Sequence, residues 1–434
     1  MQSAVANTAP ETQPANLVAV AGVIASTALA AVGNGLMFAY IPVRLGLSGY
    51  DPTWAGVILT GLSAGGIAGC LLTGRLVHRV GHARAFMIFS ALIVLSNAII
   101  GAGIDPVVWI AARALYGFAI CGMFIVAQSW LNDAVANAVR GRVMAIFYVS
   151  YIVGLGIGSW LMGFLDIAGA AIPLIGVAFT ALSILPVGMT RLPPPPPPEG
   201  ASIAFRQAWA ISPVGVAGML AVGGLSMMVA GFAPIHATAS GLSQTEVATL
   251  MFAMPLGTLI FQLPFGWISD RTDRRYVLVA ASVLVVVAGI TAGITDGGAL
   301  WMMILIYMVW SGASESIYSL SSAHANDRAS KDDLVTLSST MLFVWSVSGF
   351  VVPGLGTILT AIYGTQAFML VAIVIAALFC VFVILRILRT PAVPAEETGS
   401  FAPMTGQVPL PVELGFGPTD GEADASDITN LPKS

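Results

Sequence analysis

Twelve long apolar stretches separated by short polar breaks set the pattern of this 434-residue chain. They cover about residues 17–40, 54–73, 85–104, 107–131, 143–165, 171–189, 213–237, 246–268, 276–295, 299–322, 334–360 and 366–388. A helix of about 20 apolar residues crosses a hydrocarbon core of about 30 Å. Lipid offers backbone polar groups no water partner, so each stretch predicts a membrane-spanning helix. Start signals agree. Asp51-Pro52-Thr53 precedes the second span, Pro106 opens the fourth and Ser212-Pro213 opens the seventh. Ser243 with Glu246 three residues on predicts a capping box for the eighth.

Two of the polar breaks match each other. Residues 265–275 read FGWISDRTDRR, with Asp270, Arg271, Asp273, Arg274 and Arg275 packed between two apolar runs. Residues 73–84 read TGRLVHRVGHAR in the corresponding place of the first half. Gly74 aligns with Gly266 and Arg79 with Arg271, both 192 residues apart. A second match joins the fifth and eleventh spans: Ser150 to Ser348, Gly156 to Gly354 and Gly158 to Gly356, all 198 apart. The chain is therefore read as a duplicated, all-α integral membrane protein. Its segments are a tail 1–16, a six-helix half 17–189, a linker 190–212, a six-helix half 213–388 and a tail 389–434.

These turns resemble the signature between helices 2 and 3 of the major facilitator superfamily. The second copy keeps Gly266, Asp270, Arg271, Arg274 and Arg275. The first keeps Gly74, Leu76, Arg79, Gly81 and Arg84, but has His78 where the family usually has Asp. The resemblance spans about residues 17–390. The chain also looks like the YcaD-like branch, through Asn34 ahead of Tyr40, Ile41 and Pro42, the Arg140-Gly141-Arg142 step, and residues 148–158. The resemblance implies two six-helix halves as parallel repeats, a central site lined by helices 1, 4, 7 and 10, and transport by alternating access. The family's drug–proton antiporters carry a Gly-Pro pair in helix 5. Here Gly154, Gly156 and Gly158 stand there without proline, and the pair Pro353-Gly354 lies in the eleventh span.

Composition fits a membrane protein, with 57% hydrophobic and 9% charged residues. Of the 17 Lys and Arg, only Arg44 and Arg113 fall outside the side that carries both basic turns. This asymmetry predicts cytoplasmic termini in a bacterial inner membrane. Prolines 193–198 predict a stiff extended spacer. The tail beyond Thr390, with Glu396, Glu397, Glu413 and Asp420, has no apolar periodicity and is expected to be disordered. Cys70, Cys121 and Cys380 stand singly in apolar runs and read as small buried hydrophobes.

Ionisable groups inside a bilayer are costly and are functional candidates by default. Arg113 in the fourth span and Glu315 in the tenth are the clear cases. At 100° per residue, Arg113, Tyr116, Gly117, Phe124 and Gln128 share one face. Tyr307, Ser311, Ser314, Glu315, Tyr318 and Ser322 share another, and Trp310 adds an aromatic. Asn34 and His236 complete the expected substrate-cavity set. Arg113 with Gly117 resembles a second family motif whose arginine is associated with proton coupling. The alternative is an arginine that satisfies helix-1 groups such as Asn34. Burial disfavours the ionised form of a carboxylate, so Glu315 is expected to load and release a proton. The basic turns, through Gly74, His78, Arg79, Gly81, Gly266, Asp270, Arg271 and Arg274, are expected to form a cytoplasmic gate. Asp270 would accept from a neighbouring helix N-terminus, and Arg271 would bridge to an acid such as Asp327.

The expected function is proton-coupled secondary transport of a small organic solute by a monomer in the lipid bilayer. A gradient-independent facilitator and a non-transporting sensor on the same fold remain alternatives. No ATP-binding loop, nucleophile–base constellation or metal-spaced cluster is present in the sequence, so no enzyme, cofactor or nucleic-acid partner is expected.

Overall fold

The computed structural model describes residues 17–135, 137–190, 203–295, 299–330, 333–391, 398–399 and 401. The expectations for residues 1–16, for prolines 193–198 and for the acidic tail beyond 401 lie outside the described residues. Fourteen α-helices and one 3-10 turn are described, with no strand among the described residues. Twelve segments are long and apolar enough to cross a membrane. The chain divides into two compact units, residues 1–200 with 242–252 and residues 201–241 with 253–434.

The first unit contains α1 (Leu17–Leu47), α2 (Thr53–Val80), α3 (His82–Ala102), α4 (Pro106–Ala134), α5 (Asn137–Leu161), α6 (Ala171–Leu182) and α7 (Ile184–Met189). Small residues let these helices approach closely. A Cβ on Gly117 of α4 would collide with the carbonyl of Leu62 on α2. A Cβ on Gly158 of α5 would likewise meet Val32 O of α1. Asp105 caps α4, accepting from Val107 N at 2.8 Å and Val108 N at 3.1 Å. Cys70 and Cys121 are not isolated as the sequence suggests. The α2–α4 contact brings their Sγ atoms to 3.1 Å.

The second unit contains α8 (Phe205–Ile211), α9 (Pro213–Ala239), most of α10 (Gln244–Ser269), α11 (Arg274–Ile294), α12 (Leu300–Asn326), α13 (Leu334–Tyr363) and α14 (Ala367–Arg389). Ser212 caps α9, accepting from Gly215 N at 3.1 Å. The Ser243–Glu246 capping box of α10 is present, with Ser243 N donating to Glu246 Oε2 at 2.8 Å. The glycine-mediated α1–α5 pairing of the first unit recurs here as α9 on α13, where a Cβ on Gly223 would meet Trp345 O.

Several helices run past the predicted spans. The sequence reading ends the first at Tyr40, yet α1 continues through Pro42 to Leu47. Helix α2 runs to Val80, so Gly74, His78 and Arg79 are helical and the first turn shrinks to Gly81 at φ 82°. A positive φ is easy only for glycine. Within the linker read as 190–212, Phe205–Ile211 form α8, a helix the sequence reading did not predict. Its Phe205 and Trp209 rings stack at 6.0 Å, and Gln207 Nε2 donates to Asp333 Oδ1 at 2.6 Å.

Candidate functional site

Three helices of the first unit build a polar cluster inside an apolar bundle. Arg113 on α4 is 3% exposed. Its guanidinium lies 4.2 Å from the Tyr116 ring centroid, one turn along, and 5.8 Å from that of Phe38 on α1. Asn34 on α1 donates from Nδ2 to Tyr151 OH on α5 at 3.1 Å, and Phe124 meets Tyr151 edge-on at 4.6 Å. Asn34 thus spends its donor on Tyr151, and two aromatic faces hold Arg113. Among the described residues no carboxylate pairs with Arg113. Arg113 Nη1, Tyr116 OH and Asn34 Oδ1 are buried and have no hydrogen-bond partner among the described residues. Buried polar atoms are nearly always satisfied, so this group marks a place where water or a solute is to be expected. Gln128, 4% exposed with Nε2 unsatisfied in the same way, lies about four turns beyond Arg113 along α4.

In the second unit, Glu315 of α12 is 8% exposed, and its carbonyl accepts from Gln262 Nε2 of α10 at 3.3 Å. One turn earlier, Ser311 Oγ lies 3.1 Å from Thr258 Oγ1, also of α10. The rest of the predicted stripe turns toward other neighbours. Tyr307 OH lies 3.0 Å from His236 Nδ1 of α9. Tyr318 meets Trp345 of α13 edge-on at 6.4 Å. Trp310 is fully buried in a ring stack, 5.8 Å from Tyr307 and 5.9 Å from Phe368. Ser314 is buried, with Oγ lacking a partner among the described residues.

The two basic turns differ. In the second, α10 ends at Ser269 and Asp273 caps α11, accepting from Arg275 N at 3.0 Å. Arg274, 2% exposed, donates from Nε to Asp327 Oδ2 at 2.7 Å and from Nη1 to Asp270 Oδ1 at 3.3 Å. The bridge to Asp327 expected of Arg271 therefore belongs to Arg274. Arg271 lies outward at the helix end, its guanidinium 4.1 Å from the Trp267 ring centroid. Asp270 does not meet a helix N-terminus. It accepts from Phe401 N, beyond the last helix, at 2.9 Å. Burial lifts the Asp327 carboxyl above its usual range, with Arg274 pulling the other way. In the first turn Gly74, His78 and Arg79 are exposed, and no ion pair forms among the described residues. At the position matching Arg274, His82 is buried with Nε2 3.2 Å from Ser129 Oγ.

The sequence reading did not single out Tyr151, Phe38, Gln262 or Phe401. Gln262 carried a signal, as a carboxamide in an apolar helix. Phe38 carried none.

This architecture of two membrane-helix units with matched basic turns is that of a facilitator-type transporter. The family model described as Major Facilitator Superfamily matches residues 23–214 and 214–417, and the chain belongs to that family. Within it the chain is similar to the YcaD-like branch. It is 25% identical over 347 residues to an uncharacterized MFS-type transporter of Yersinia pestis (strain Pestoides F), covering 78% of this chain and 87% of that one. It is 24% identical over 344 residues to the uncharacterized MFS-type transporter YcaD of Escherichia coli O9:H4 (strain HS), covering 79% and 87%. Among solved structures, the nucleoside transporter NupG aligns with a TM-score of 0.68 at 13% identity, covering 86% of this chain and all of that one. The protein is a multi-pass membrane transporter.

Proposed function

We propose that the protein is a proton-coupled secondary transporter that moves a small organic solute with an acidic group by alternating access. The observation that carries this reading is Arg113, a buried guanidinium with no counter-ion among the described residues, flanked by the unsatisfied Tyr116 hydroxyl and Asn34 carbonyl. Two donors and one acceptor suit a carboxylate or similar oxyanion next to a group that donates. Arg is the side chain best shaped for such an anion. The nucleoside specificity in NupG's name does not carry over, because 13% identity speaks for the fold alone.

Glu315 supplies the coupling. It is a carboxylic acid on a membrane-spanning helix, 8% exposed, and an intramembrane carboxyl is a candidate to carry one proton per cycle. The asymmetry of Lys and Arg supports a bacterial inner-membrane location with cytoplasmic termini. The working unit in the bilayer is taken as a monomer without a cofactor.

The test uses wild type and Glu315→Gln in proteoliposomes, with a radiolabelled acid that binds the purified protein. Wild type accumulates the acid under an imposed pH gradient, and Glu315→Gln keeps exchange but loses accumulation. Undiminished accumulation by the variant removes Glu315 from coupling. Equilibration without accumulation by wild type makes the protein a gradient-independent facilitator.

A further inference from the structure

Gly399 and Phe401, beyond the last helix, meet the second basic turn, the expected cytoplasmic gate, away from Arg113 and Glu315. Gly399 N donates to Asp327 Oδ1 at 3.0 Å, while Arg274 Nε holds Oδ2 at 2.7 Å. Arg274 Nη2 donates to the Gly399 carbonyl. Two residues on, Phe401 N donates to Asp270 Oδ1 at 2.9 Å. The Phe401 ring lies over Gly266, where a Cβ would collide with it. Three backbone hydrogen bonds and one aromatic ring thus engage Asp270 and the buried Arg274 of the turn together with Asp327 at the end of α12. Each partner has a chemical reason. Gly399 has no side chain to keep its backbone from Arg274 and Asp327. Gly266 alone leaves room for the ring. A charge-assisted bond from an N–H to a carboxylate is stronger than a neutral one. The matching place in the first unit is open, since a Cβ on Gly74 would meet nothing within 4 Å.

We propose that Gly399 and Phe401 form an intramolecular latch whose receptor is Gly266, Asp270 and Arg274 of the second signature turn with Asp327 at the end of α12. While docked, the latch occupies Asp270 Oδ1 and Asp327 Oδ1, and the Gly399 carbonyl takes one donor of Arg274. The turn cannot exchange those hydrogen bonds for others until the latch leaves. Docked Gly399 and Phe401 are then autoinhibitory, restraining the junction of α10 with α11, and their release is the regulated step. This inference does not depend on the solute or on proton coupling.

Hydrogen–deuterium exchange and chymotrypsin cleavage, both on the full chain in lipid nanodiscs, test it. In wild type the Phe401 amide exchanges slowly, and cleavage after Phe401 is slow. Asp270→Ala removes the acceptor and Gly266→Val fills the ring's place. Each is expected to raise exchange and cleavage at Phe401 by about tenfold or more. Phe401→Ala and deletion of 398–434 lie beyond the last helix, so they leave the membrane helices intact. Both are expected to speed amide exchange across residues 268–274 several-fold. Equal rates at Phe401 in wild type, Asp270→Ala and Gly266→Val overturn the docking. Slow exchange at Phe401 with unchanged exchange at 268–274 after deletion overturns the restraint.

Discussion

Replacing Arg113 by Met is expected to make the protein more stable and less able to bind its solute. An arginine at the centre of a membrane helix costs about 2.5–3.5 kcal/mol on insertion scales. Arg113 lies roughly 10 Å along α4 from Pro106, short of the centre, so the lower end applies. The aromatic faces return part of this, with cation–π contacts worth about 0.5–2 kcal/mol. No ion pair returns the rest, because no carboxylate meets Arg113 among the described residues. Met fills much of the same volume, and the balance favours the variant by about 1 kcal/mol. The assay is thermal unfolding of purified protein followed by tryptophan fluorescence, with and without acids that stabilise wild type. Arg113→Met should unfold at a slightly higher temperature and show no acid-induced shift. Arg113→Lys keeps the charge but not the planar fork and should bind more weakly than wild type. A fall of several degrees for Arg113→Met, with acid binding retained, would refute the reasoning and make the guanidinium structural.

Other outcomes follow from local geometry. Asp273→Ala removes the cap of α11 and its pairing with Arg275, at 2.6 Å to Nη2, and should cost about 1–2 kcal/mol in thermal unfolding. Burial pushes the Asp273 carboxyl up, but the bonds from Arg275 outweigh it and leave the folded value lowered. Its contribution is therefore present above the unfolded value of about 4 and lost as pH falls through the folded one. Stability that is flat from pH 6 to below pH 3 would contradict this. Copper-phenanthroline should oxidise Cys70 and Cys121 to an intramolecular disulfide, each thiol releasing one proton and giving one electron to the copper(II) oxidant. Mass spectrometry reads this as a loss of about two mass units, absent in Cys121→Ala; free thiols after treatment would deny the 3.1 Å approach. Gly117→Ala pushes α4 away from Leu62 of α2 and should destabilise by about 2 kcal/mol or more; unchanged unfolding would deny that contact.

The fold was readable because its governing pattern is one-dimensional. Apolar run length sets the number of crossings, and two matched basic turns mark the duplication. Helix ends were less readable, since a helix continues past the hydrocarbon wherever its hydrogen bonds are met. Thus Pro42 did not stop α1, and Gly74 and Arg79 became the last turns of α2. Periodicity found the buried faces with Arg113 and Glu315, but it could not choose each side chain's neighbour. That choice depends on helix rotation and tilt. Trp310 turns into a ring stack, Asn34 reaches Tyr151 rather than Arg113, and Arg274 rather than Arg271 takes Asp327. The latch was hidden for another reason. A Gly-Ser-Phe step in a polar, proline-rich tail has no periodicity, and its partner Gly266 lies 135 residues away.

The central claim is that the first unit holds an acidic group of the solute through Arg113. The most direct measurement is thermal stabilisation of wild type and Arg113→Met by a library of small organic acids, each paired with its neutral amide. A ligand at a hundredfold excess over its dissociation constant stabilises by about 2.7 kcal/mol, well above detection. The account predicts that a related group of acids raises the unfolding temperature of wild type, that their amides do not, and that Arg113→Met loses the effect. Acids that stabilise no better than their amides, or that stabilise Arg113→Met equally, would contradict it.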